Sequence, residues 1–159
     1  MANWAEFERA EPELAAFGRD RLDGTVCFQA TLRPDGSPRV HPVEPWIAAG
    51  LLLVRFRARS PKVREVARDA RFALHSPMDN PDGIGGEFLV NGWMEQVSPA
   101  HPATRRFAEE SSEPLAFYAL SVDEVVATTY EGQALDPVYR RWRGDQATRP
   151  GDPSGAENS

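Results

Sequence analysis

Short β-forming runs, each closed off by Pro, Gly or Asp, constrain this chain more than any single motif does. The clearest is Thr25 to Leu32, then Pro34-Asp35-Gly36, then Arg39 to Val43. Proline presets the first corner of a turn and glycine accepts a positive φ, so this stretch predicts a β-hairpin. Pro38 and Pro42 donate no ladder hydrogen bonds, which makes the return strand irregular or places it at an edge. Trp46 to Ala48, the turn at Ala49-Gly50 and Leu51 to Arg57 predict a second hairpin. Further strands are expected at Arg71 to Ser76, Glu87 to Val97, Leu115 to Val122, Val122 to Tyr130 and Pro137 to Arg143, with a bulge at Gly92.

Helices fill the connections. Trp4, Phe7, Leu14 and Phe17 mark a helical start, in which Pro12 opens a second short helix or bends a single one, and Gly18 is the expected stop. Ser60 and Pro61 suit the N-cap and first turn of a helix over 60–69. Another is expected over 102–110. From Gly144 to Ser159 there is no large apolar residue, so 144–159 is expected as a disordered tail on a domain of residues 1–143. Many short strands joined by turns imply a mainly β chain with short helices, its antiparallel sheet closed on itself as a barrel.

Several classes of function find no support. The chain has 159 residues and a formal charge of −6, which argues against a dedicated nucleic-acid binder. No apolar stretch is long enough to span a membrane and the N-terminus lacks a signal-peptide pattern, so a cytoplasmic protein is expected. His41, His75 and His101 are widely spaced and Cys27 is the single cysteine, so no metal site is expected. Cys27 reads as a small buried hydrophobe. There is no nucleophile elbow and no glycine-rich phosphate loop.

What remains is a basic cluster: Arg55, Arg57, Arg59, Ser60, Lys62 and Arg64. Seventeen of the eighteen basic residues are arginine, and Lys62 is the only lysine. A hydroxyl, the free N–H groups of a helix start and several cations make a credible dianion site. A solvated charged face accounts for the same residues equally well.

The hairpin from Phe28 to Val43, the Leu51-Leu-Leu-Val-Arg strand and the segment from Ser60 to Leu74 together resemble the pyridoxamine 5′-phosphate oxidase-like flavin and deazaflavin oxidoreductases. The strand Glu87 to Val97 looks like the family's central strand, and Val138 to Gly144 like its closing one. The resemblance implies a six-stranded antiparallel split β-barrel, the FMN-binding split barrel. It implies a homodimer with a cofactor in each cleft between subunits, acting on a small-molecule substrate. The strand Arg39, Val40, His41, Pro42 and Val43 would run along the isoalloxazine ring. Ser60 and Lys62 would hold the phosphate, supported by Arg55, Arg57 or Arg59. Trp142 would cover the cofactor across the subunit boundary, whereas Trp93 suits core or interface. His41 stands either as a proton donor beside the ring or as a plain polar strand residue. No C-terminal clamp for pyridoxamine phosphate is present. The expected activity is FMN-dependent hydride transfer. The same fold also serves the deazaflavin F420, whose acidic tail would suit Arg39, Arg57 and Arg59, and non-catalytic flavin or haem-type carriers.

Overall fold

The computed structural model describes residues 1–132 and 135–144. Two helices open the chain, α1 (Trp4–Ala10) and α2 (Pro12–Leu22). Asn3 caps α1 in a reciprocal arrangement with Glu6, and Pro12 starts α2. Gly18 does not end α2, as expected from sequence, but lies inside it. A Cβ there would sit 2.4 Å from the Phe88 ring, so the missing side chain is a seat for that phenyl group.

The first hairpin forms as expected from β1 (Cys27–Leu32) and β2 (Pro38–Val43), with Leu32 opposite Pro38 and Cys27 opposite Val43. Asp35 accepts from the Ser37 N–H, and Gly36 turns with φ 82°. The second hairpin is β3 (Trp46–Ala48) with β4 (Leu51–Arg57). Helix α3 (Pro61–Arg68) follows, then β5 (Arg71–His75) and β6 (Glu87–Val97). Helix α4 (Arg105–Glu110) is shorter than expected, because the chain turns through His101–Thr104 before it begins. The last strands are β7 (Leu115–Leu120), β8 (Glu124–Glu131) and β9 (Asp136–Arg143). Apart from Gly144, the expected tail lies outside the described residues.

Nine strands therefore replace the six of the resemblance among the described residues, because the short β3 and the β8–β9 hairpin extend the sheet. The order is β2-β1-β5-β6-β7-β4-β3, with β8 and β9 branching from β6. All pairings are antiparallel. The sheet curls but stays open, since no ladder joins β2 to β3 or β4 among the described residues.

Strand β6 serves both halves. Leu89–Trp93 pair with β5 and Glu87–Asn91 with β8, while Met94–Val97 pair with β7. The crossing falls at Gly92. The register against β5 continues through it, so the expected bulge is absent. The glycine answers a different need: a Cβ would lie 2.3 Å from the Ser121 carbonyl oxygen. Inside the curl, Leu52, Val54, Leu74, Phe88 and Val90 form the core, closed at one end by Trp4 and Phe7 of α1.

Candidate functional site

Period-two alternation decides what β2 can present. Arg39, His41 and Val43 face inward, and Val40 and Pro42 face out. Across the ladder, Gln29 lies opposite His41 and Thr31 opposite Arg39, so β1 adds two polar side chains to the same inner face. Gln29, Thr31 and His41 are all buried, His41 at 7% exposure.

Helix α3 supplies the rest. The Ser60 hydroxyl accepts from the Lys62 N–H at 3.4 Å, and Pro61 occupies the first turn, where its missing N–H costs nothing. One turn on, the buried Glu65 carboxylate pairs with Arg39 at 3.0 Å and accepts from the Thr31 hydroxyl at 3.4 Å. The Lys62 ammonium lies over the Phe56 ring, 5.4 Å from its centre. The His41 ring meets the same phenyl edge-on at 5.8 Å. Among the described residues, no carboxylate comes within ion-pair distance of Lys62.

The electrostatics follow from burial and like charge. Burial pushes the His41 pKa down to about 4, and the positive charges of Lys62 and Arg39 add to the shift while the Arg39 main chain offsets part of it. At neutral pH the imidazole is therefore uncharged and offers a hydrogen bond rather than an acidic proton. Burial also lowers the Lys62 pKa, helped by Arg39 and opposed by Glu65. Four buried polar atoms here have no partner of hydrogen-bond geometry: Gln29 Oε1, Arg39 Nε and both ring nitrogens of His41. Buried polar groups are nearly always paired, so four such atoms together single out this neighbourhood as one with hydrogen-bonding capacity left over for a polar guest or for water.

The expected basic cluster is divided. Phe56 faces inward, so Arg55 and Arg57, its neighbours on β4, must face away. Arg55 stacks 4.4 Å from the Phe107 ring centre and 5.5 Å from that of Trp46, and pairs with Glu44. Arg57 and Arg59 are exposed and share Glu113. Arg64 is exposed on α3. The structure thus brings together Arg39, His41, Ser60 and Lys62, with Val43 in the adjoining core, and leaves Arg55, Arg57 and Arg59 elsewhere. Trp142 turns inward within its own chain, 4.9 Å from the Phe7 ring centre. Trp93 is half-buried and lines a cleft of about 1160 Å³ at the far end of α3, with Arg68, Asp69 and Ser121. Gln29, Thr31, Phe56 and Glu65 are the site residues that sequence reasoning missed. The alternation from His41 and the three-residue step from Lys62 to Glu65 were the available signals.

The outer face of the same strands is apolar. Phe28 is 49% exposed and Val40 66%. From Phe28 the outward row runs through His75 and Leu89 to Val126, and from Val40 through Ala30 and Ala73 to Asn91, register partner by register partner.

No family model matches the chain, and no curated protein matches it. Solved structures do. A Listeria innocua protein named for pyridoxamine 5′-phosphate oxidase superposes with a TM-score of 0.60 at 13% identity, over 74% of this chain and 97% of that one. A heme-binding protein from Mycobacterium smegmatis gives 0.56 at 18%, over 79% of this chain and 55% of that one. An F420 reductase gives 0.51 at 18%, over 66% and 91%.

The fold is a split barrel.

Within this split barrel the neighbourhood of Lys62 offers three features that an anionic group could use. Lys62 and Arg39 supply positive charge, the Ser60 hydroxyl keeps its own proton free to donate, and the neutral His41 ring and Arg39 Nε have unused hydrogen-bonding capacity.

Proposed function

We propose that this chain is an oxidoreductase that binds an FMN-type or deazaflavin cofactor through its phosphate at Lys62, Arg39 and Ser60, and acts on a small organic substrate. The observation that carries this reading is the chain's single lysine. It is half-buried, lacks a carboxylate partner among the described residues, and sits at a capped helix start beside an inward arginine. A partly desolvated cation with no ion pair of its own has its charge available, and a bound phosphate would use it.

When bound, the isoalloxazine ring supplies hydride transfer, so no nucleophile is required of the protein. The chain's own residues bind and orient. Lys62 and Arg39 hold the anion, and Ser60 and His41 donate hydrogen bonds near it. The strand Arg39–Val43 supports the ring, with Val40 and Pro42 on its outward side. The exposed apolar side chains of Phe28 and Val40 on the outer face support a homodimer through these strands. No helix among the described residues is long and apolar enough to cross a membrane.

The purified protein's visible spectrum and a titration with FMN and F420 test the reading. Flavin absorbance or saturable quenching is expected. A colourless protein that takes up neither cofactor would refute it. Binding without turnover of any acceptor would make the chain a carrier.

A further inference from the structure

A carboxylate beside cations that are to hold an anion calls for a reason, because its charge alone repels the ligand. Glu65 is 4% exposed and follows Lys62 by three residues on α3. Its Oε1 pairs with Arg39 Nη2 at 3.0 Å, and its Oε2 accepts from the Thr31 hydroxyl at 3.4 Å. Both carboxylate oxygens are thus engaged by the first hairpin, one by each strand.

Thirty-one and 39 are register partners across β1 and β2, so Glu65 clasps α3 to a single cross-strand pair. The clasp acts on Arg39 from its Nη2 side. The Arg39 side chain is 33% exposed, and an arginine left loose in that setting gives up rotamer freedom when it grips a ligand. One already held by a buried carboxylate gives up less. Arg39 Nε stays buried without a partner, so the clasp leaves a donor unused. His41, two residues along β2, is 7% exposed and has no partner for either ring nitrogen, a second sign that a polar guest belongs at this place.

Resting on the reading of Lys62, Arg39 and Ser60 as phosphate-binding residues, we infer that Glu65 is a positioning residue for that site: it strengthens phosphate binding by holding Arg39 in place, against the direction in which its own charge acts.

The sign of one effect separates positioning from charge. Affinities of the intact protein are measured by fluorescence quenching for FMN against riboflavin, and for F420 against its phosphate-free deazaflavin core. Glu65→Gln removes the charge at nearly constant shape, and Glu65→Asp keeps the charge but draws it back by one methylene. Both substitutions should cut the preference for the phosphate-bearing ligand at least fivefold and leave affinity for its phosphate-free counterpart within twofold of wild type. In an Arg39→Ala background the same substitutions should change that preference at most twofold, because the side chain they position is gone. A tighter grip on FMN or F420 in Glu65→Gln, an unchanged preference, or equal losses for both ligands of a pair overturns the inference and leaves the cofactor reading standing. A wild type that does not discriminate within either pair and does not respond to Lys62→Ala removes the phosphate site and the inference with it. Glu65→Asp keeps the test decisive where a Glu65→Gln protein fails to fold.

Discussion

Acid should unfold this protein partly through one side chain. His41 is 7% exposed, its ring nitrogens lack partners, and Lys62 and Arg39 both bear on it with positive charge. Its pKa falls from the ordinary 6.5 to about 4 in the folded chain. Between those values the unfolded chain binds more protons than the folded one. The folded state therefore holds its full His41 contribution above about pH 6.5 and loses it as the pH drops toward 4. At about 1.4 kcal/mol per pH unit the loss is about 3 kcal/mol. Carboxylates titrate in the same range, so the comparison must be with a variant. His41→Phe removes the titrating group and adds no new polar atom. Urea unfolding of both proteins from pH 7.5 to 4 gives the two stability curves. The stability of the wild type relative to the variant should fall by about 3 kcal/mol across that window and stay level above pH 7. A constant difference across the range would show that the imidazole is protonated or solvated in the folded chain, and the account of the His41 neighbourhood would fail.

Other outcomes follow from single contacts. Lys62→Ala should weaken FMN or F420 binding roughly ten- to hundredfold, the loss of one charge-assisted contact, as read by quenching titration. Unchanged affinity would displace the phosphate from α3. Gly92→Ala should cost about 3 kcal/mol in chemical denaturation, because its Cβ would lie 2.3 Å from a main-chain oxygen that cannot rotate away. A neutral substitution there would contradict the close crossing of β6 and Ser121. Phe28→Asp combined with Val40→Asp should yield a folded monomer in sedimentation, since both side chains are largely exposed on the outer stripe. A wild type that is monomeric at all concentrations would remove the dimer from the proposal.

Much of the fold was legible because local signals agreed. The Pro34-Asp35-Gly36 turn, the alternation on either side of it and the Ser60-Pro61 helix start each specify geometry within a few residues, and the structure has them where they were expected. The branching of the sheet at β6 was not legible. It depends on Ser121 meeting Gly92, a contact across 28 intervening positions that no local pattern encodes. The site divided in the same way. Lys62 and Ser60 stood out by composition and capping. Arg55 and Arg57 were grouped with them because alternation places the two on one face, yet that alternation also sets them opposite Phe56, and only burial tells which face is inside. Glu65 carries no signal of its own in the sequence. Its role needed the Thr31–Arg39 pair from the hairpin, brought alongside by tertiary packing.

Strand β6 carries a mechanical consequence. Because its two ends ladder into different halves of the sheet, neither half can detach without breaking hydrogen bonds on a strand the other half also uses. The two halves are therefore a single cooperative unit, and amide protons along Glu87–Val97 should open only with the whole molecule. A disturbance at the hairpin edge that bears Arg39 and His41 reaches the opposite half through that shared backbone.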